Sequence, residues 1–333
     1  MLRTALLIVV FLLAAGSPAE TAEQPELSMP IDCDPGETCW IVNYIDHDPG
    51  EGARDYACGN VTYDGHNGAD IAIENNAVMR RGVAVLAAAP GVVIGYRDRM
   101  EDIDYHKIGG RKAIKGDECG NSVLIDHGGG WESKYCHLRL GSVTVRNGDK
   151  VKRAQKIGLV GHSGLSSFTH LHISVRRQDL PVDPFIGLER SQECGPGASP
   201  LWDKPSLDRL AYRTGSIYSA GFAGRDPEME MMVEGDLART VLPRLTPALM
   251  FWAGVFRVKA GDRINLKIFA PDGTLLKEKT STVNEDRFRR FVFTGVHPGK
   301  QPLAVGEYKG EVRLFRDDAD HPQQIVKRSL TVR

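Results

Sequence analysis

Between about residues 56 and 186 the chain consists of short apolar runs cut apart by glycine turns, with no amphipathic helical period of any length. Val83-Ala84-Val85-Leu86 leads to Pro90-Gly91, after which Val92-Val93-Ile94 resumes. Ser122-Val123-Leu124-Ile125-Asp126 is followed by Gly128-Gly129-Gly130 and then by Trp131 to Leu138. Asn147-Gly148-Asp149 precedes Ile157-Gly158-Leu159-Val160. Runs this short, rich in β-branched residues and bounded by glycine, suit strands and hairpins, whereas a helix needs apolar residues at a 3.6-residue spacing to bury one face. The stretch is expected to be mainly β, an antiparallel sheet. Residues 98–119, polar and of both charge signs, are expected as a long surface loop.

The flanks read differently. Residues 20–55, rich in Pro, Asp and Gly, are expected as an extended lead-in, and 188–210, with Cys194-Gly195-Pro196-Gly197 and Ser199-Pro200, as a linker. Beyond it Ile264, Leu266 and Ile268 alternate with Asn265 and Lys267, and Phe291-Val292-Phe293 and Ile325 to Val332 continue the pattern. Residues 211–333 are therefore expected to form a small, Ig-like β-sandwich. It holds no cluster of Cys, His or carboxylates, so a structural or positioning role is expected of it. On that reading a chain ending near residue 187 keeps its chemistry on a small substrate within about tenfold. Trp252 and Phe256 are candidates for a stacking surface, although aromatics of a small sandwich more often fill its core.

Arg3, the apolar run Ala5 to Gly16 and Ser17-Pro18-Ala19 have the order of a secretory signal, and residues 1–19 are expected to be one. The run is shorter than the roughly 20 apolar residues that span a bilayer. Export, to the periplasm or alternatively to the medium, is the expected fate. Six cysteines behind such a signal favour disulfides; 15 pairings are possible, and only the short Cys33–Cys39 loop suggests itself. A net charge of −1 gives no electrostatic reason to expect nucleic acid as a partner.

The chemistry concentrates in three places. In Thr169-His170-Leu171-His172-Ile173, strand alternation turns His170 and His172 to one face and Leu171 and Ile173 to the core. In His66-Asn67-Gly68-Ala69-Asp70 an imidazole and a carboxylate four residues apart can converge on one ion, though Asp70 could equally cap a turn. In Tyr135-Cys136-His137-Leu138, if His137 faces the site, alternation sends Cys136 the other way.

The order HxxxD, YxHL, HLH resembles the lysostaphin/LytM family of zinc metallopeptidases. Residues Gly120 to Gly128, Val145 to Gly158 and Val182-Asp183-Pro184 also match that family's segments, so the resemblance covers about residues 60–186. It implies that His66, Asp70 and His172 hold a zinc ion and that His137 and His170 are catalytic. Two imidazoles and one carboxylate leave a fourth position open, the pattern of catalytic rather than structural zinc. It implies an endopeptidase acting on the stem peptides of peptidoglycan, through a zinc-polarised carbonyl and a zinc-activated water. The alternative is a non-catalytic LytM-like protein that binds the wall or activates a hydrolase. Two departures stand out: Phe168-Thr169 precede HLH where the family has Gly or Pro, and Ala154 replaces a common Gly.

Overall fold

The computed structural model describes residues 24–188, 194–316 and 319–333; the expected signal segment lies outside the described residues. The first unit carries β1 (Cys39–Asn43), β2 (Ala69–Ile73), β3 (Ala84–Leu86), β4 (Gly91–Arg97), β5 (Asn121–Gly128), β6 (Trp131–Leu138), β7 (Lys150–Val151), β8 (Lys156–Leu159), β9 (His170–Arg177) and β10 (Leu180–Val182). Its main antiparallel sheet runs β1-β2-β9-β6-β5-β4-β7, with β10 folded back on β9; β3 and β8 form a separate pair. The expected hairpin is β5–β6, turning through Gly129 and Gly130.

Alternation sorts the faces of this sheet. Leu171, Ile173 and Val175 of β9 and Ser133 and Tyr135 of β6 point into the core, while His172 and Ser174 look across at Cys136 and Lys134 on the opposite, open face. Loop 98–119 is more ordered than a bare surface loop, with short 3₁₀ turns at Tyr105–Ile108 and Gly110–Ile114. Asp98 and Asp102 fasten its first half by accepting from the amides of Leu140, Gly141, Val143 and His162.

The lead-in and the linker are both built into this unit. β1 extends the sheet beyond β2. Leu27 and Ile31 are fully buried in the same apolar cluster as Leu201, Trp202 and Leu210, and Leu27 and Trp202 form a parallel bridge. In the linker a few isolated apolar residues, not a periodic run, do the packing; in the lead-in the short apolar run Trp40-Ile41-Val42 forms β1, a strand signal outweighed by the Pro, Asp and Gly around it.

The second unit is a sandwich. β11 (Ser216–Ala223), β13 (Leu249–Val258) and β16 (Arg287–Val296) form one sheet. The other runs β12 (Val241–Leu242), β18 (Gln324–Val332), β17 (Gly306–Phe315), β14 (Arg263–Phe269), β15 (Leu275–Thr282). Phe251 and Val255 from one sheet meet Leu266 and Val312 from the other in a single buried cluster. Trp252 and Phe256 are both buried, so neither is a stacking surface.

Three disulfides close the fold: Cys33–Cys39, Cys58–Cys194 and Cys119–Cys136. No described cysteine is free. Among the described residues no helix is long and apolar enough to cross a membrane.

Candidate metal centre

β2 and β9 pair so that Asp70 lies opposite His172 and Ala72 opposite His170, and β6 places Cys136 opposite His172. His66 stands in the turn ahead of β2. Gly68 must be glycine for this turn to approach β9, because a Cβ there would lie 2.5 Å from His172 Nε2 and 2.5 Å from the Ile173 carbonyl.

His66 Nε2, Asp70 Oδ1 and His172 Nδ1 lie within 4.8 Å of one another. The separations are 3.2 Å from His66 to Asp70, 2.8 Å from His172 to Asp70 and 3.2 Å between the two imidazoles. Donors each about 2.0–2.1 Å from a tetrahedral zinc sit roughly 3.3 Å apart, so this donor set fits that ion. The remaining atoms of two donors are occupied. His66 Nδ1–H donates to the Tyr44 carbonyl at 2.6 Å, which leaves Nε2 with its lone pair. Asp70 Oδ2 accepts from the Asn43 amide at 2.6 Å. Partners of this kind fix the tautomer and orientation of metal ligands.

His170 and His137 stand beside these donors, their rings 4.6 Å apart. His170 Nε2 is 3.6 Å from Asp70 Oδ1, and its Nδ1–H donates to the Phe168 carbonyl at 2.9 Å. His137 Nδ1–H donates to the Ser163 carbonyl at 2.8 Å. Ser163 comes this close because Gly120 (φ 63°) has no Cβ, which would meet Ser163 at 2.5 Å.

His137 corrects the strand-alternation reading of β6. Its φ is +61°, a left-handed conformation that breaks the pleat, so Cys136 and His137 both line the cleft instead of facing opposite ways. Ala154 is also left-handed (φ 61°), which accounts for glycine as the usual residue there.

Electrostatics separate the groups. Burial, with the neighbouring His170 and His172 adding to it, holds the His137 pKa well below the usual histidine value; burial likewise lowers His170. Burial opposes charge at His66, but Asp70 outweighs it and raises the pKa. At Asp70 burial also opposes charge, yet the surrounding histidines keep the carboxyl well below its ordinary range.

All five residues expected from the sequence meet here. His106 does not: it pairs with Asp104 on the exposed loop. Three groups escaped sequence reasoning. His162 is buried, and burial followed by the neighbouring His170 imidazole lowers its pKa to about 4. Ser166 Oγ lies 3.3 Å from His170 Nδ1. Asn43 holds Asp70, as above. The small polar run His162-Ser163-Gly164-Leu165-Ser166, just ahead of the histidine pair, was the available signal for the first two.

The cleft over the donors encloses about 420 Å³, with Arg97, Lys134 and Arg176 among its lining residues. Arg97 is paired with Asp117 and Arg176 with Glu132, whereas Lys134 has no ion-pair partner among the described residues.

Residues 64–184 match the model of Peptidase family M23. The peptidoglycan DD-endopeptidase ShyA of Vibrio cholerae is 31% identical over 158 residues, covering 46% of this chain and 31% of that protein. The DD-carboxypeptidase/endopeptidase Mpg of Neisseria meningitidis is 40% identical over 65 residues, 20% of this chain and 14% of that protein. The chain thus spans about a third or less of the length of these curated relatives. Among solved structures, the catalytic domain of lysostaphin from Staphylococcus simulans aligns at 23% identity over 42% of this chain and 89% of that chain, with a TM-score of 0.27. The matched segment encloses all five site residues, so the likeness to Peptidase family M23 falls on the candidate site itself.

Proposed function

We propose that this protein is a zinc-dependent endopeptidase that cuts peptide crosslinks of bacterial peptidoglycan. The observation that carries the reading is the His66, Asp70, His172 donor set lying beside two histidines held neutral by burial. Zinc held there supplies Lewis acidity, polarising a carbonyl and making water acidic enough to react near neutral pH. The chain's own groups do the rest. With each Nδ1–H tied to a carbonyl, the Nε2 atoms of His137 and His170 are left to handle protons. One such atom can take the proton of the attacking water and pass it to the leaving amine. Once it has taken that proton, the Nε2–H can stabilise charge developing on the scissile carbonyl oxygen. The basic side chains Arg97, Lys134 and Arg176 suit the carboxylates that stem peptides carry. The names of the similar enzymes, which state peptidoglycan DD-endopeptidase activity, support the same substrate class. Export to the periplasm, or alternatively secretion, belongs to this reading.

The test combines metal analysis with mass spectrometry of muropeptides. The folded protein is expected to hold about one zinc per chain, His172→Ala is expected to lose it, and crosslinked muropeptides are expected to become monomers. A well-folded wild-type protein without zinc, or crosslinks left intact by the zinc-loaded protein, would sink the proposal.

A further inference from the structure

The sandwich reaches into the metal site. Arg257, on β13, sends its guanidinium across to the first unit. Nε donates to the Val42 carbonyl at 2.8 Å, Nη1 to the Thr62 carbonyl at 3.2 Å, and Nη2 to Asn43 Oδ1. Asn43 is itself buried, and its other side-chain atom, Nδ2, holds Asp70 Oδ2. Asp70 Oδ1 is the atom that faces His66 and His172. The chain Arg257–Asn43–Asp70 therefore ends on the oxygen of the carboxylate opposite the one offered to metal.

Two local irregularities serve this contact. The β1–β2 ladder shifts register between Ile41 and Asn43, which brings Asn43 opposite Asp70 and leaves the Val42 carbonyl free for Arg257. Arg257 has a φ of +52°, a conformation that costs a non-glycine residue on the order of 1 kcal/mol. Its four acceptors, counting the Asn60 carbonyl at 3.3 Å, are all neutral, so among the described residues its partly buried charge has no carboxylate in direct contact. A guanidinium fork is suited to gathering several oxygens in fixed directions, which an ammonium cannot do.

A second contact acts at His170. The Phe168 ring stacks on His170 with centroids 4.3 Å apart and is backed by Phe288 at 4.9 Å and Phe256 at 6.1 Å, both from the sandwich.

We propose that Arg257 is a positioning residue for the metal centre: it fixes Asn43, and Asn43 fixes the Asp70 carboxylate, so that the sandwich completes the site rather than merely accompanying it. The proposal rests on the reading of His66, Asp70 and His172 as a zinc site.

The test measures the zinc dissociation constant of the full chain by competition with a chromogenic chelator, independently of activity. Arg257→Lys keeps the charge but loses the fork, and Asn43→Ala removes the middle of the chain. Each is expected to weaken zinc binding by about tenfold or more, the range typical for partners of metal ligands. The double variant is expected to be no weaker than the worse single one, because both substitutions break the same connection. A merely structural Arg257 lowers the melting temperature and leaves zinc affinity unchanged. Affinities within twofold of wild type in folded variants, or losses that multiply in the double variant, overturn the proposal. If Arg257→Lys does not fold, Asn43→Ala decides alone: unchanged affinity overturns the proposal. A wild-type chain that holds no zinc sinks the metal reading and this inference with it, whereas a zinc-loaded wild type with unaffected variants sinks this inference only.

Discussion

His137 and His170 are set up alike. Each gives Nδ1–H to a main-chain carbonyl, each is buried, and each has its pKa pushed down, so both are neutral near pH 7. Neither supplies an atom to the donor set. Replacing either by alanine is therefore expected to leave zinc content unchanged and to lower kcat by about 10² to 10⁴, the usual contribution of a positioned proton-transfer group. Parallel metal analysis and single-turnover kinetics check this; zinc lost from His170→Ala but kept by His172→Ala would mean the two roles are exchanged. These residues were legible because their meaning lies in spacing: i and i+2 on a strand share a face, and a His and an Asp four apart around glycine converge. Asn43 and Arg257 were not legible. A lone Asn in a Pro-rich segment and a lone Arg in a distant strand carry no spacing signal, and only the folded arrangement joins them.

At the level of elements, the end of β6 carries the most information. His137 N–H donates to the Cys119 carbonyl at 2.8 Å, and the Cys119–Cys136 disulfide ties the same loop to the residue before it. The bridge closes a loop of 17 residues, for which chain entropy suggests roughly 3 kcal/mol of stabilisation. The paired replacement Cys119→Ala, Cys136→Ala is expected to lower stability by about that amount and to reduce kcat more than zinc affinity. His137 depends on the loop for its left-handed backbone, whereas the ligand strands β2 and β9 are held by their own ladder. Chemical denaturation and chelator competition on the same sample test both halves; zinc affinity falling while kcat holds contradicts it. The hairpin and the faces of β9 were readable from alternation. The failure at Cys136 has a definite cause, since alternation assumes extended backbone at every residue and His137 departs from it.

For the whole molecule, the division into a catalytic unit and an accompanying sandwich does not describe the packing. Trp40 and Ala72 of the first unit share a buried cluster with Tyr218 and Phe256 of the second, and Phe168 packs against that cluster. Lys107 meets Glu230, Arg80 meets Glu234 and Ser219 meets Glu74 along the same boundary. Leu201, Trp202 and Leu210 complete the first core from beyond residue 187, and Tyr212 donates its hydroxyl proton to Asp55. A chain ending near residue 187 therefore uncovers this surface and removes Trp202, the kind of loss that costs about 3–5 kcal/mol for a single buried tryptophan. It is expected to unfold or to bind zinc poorly, contrary to the independence that composition suggested. A folded truncated chain with wild-type zinc affinity and near wild-type rates on a soluble muropeptide is the result that contradicts this. The sandwich fold itself was foreseeable from alternating strands, but its role was not, because an interface has no periodicity along the chain.

The contact between Val42 and Arg257 spans 215 positions. A chain made from its amino terminus therefore has His66, Asp70, His137, His170 and His172 long before it has the arginine that steadies Asp70. The proposed metal centre, on this account, matures late: an unfinished chain holds every donor but lacks the brace that arranges them until β13 has been synthesised and docked.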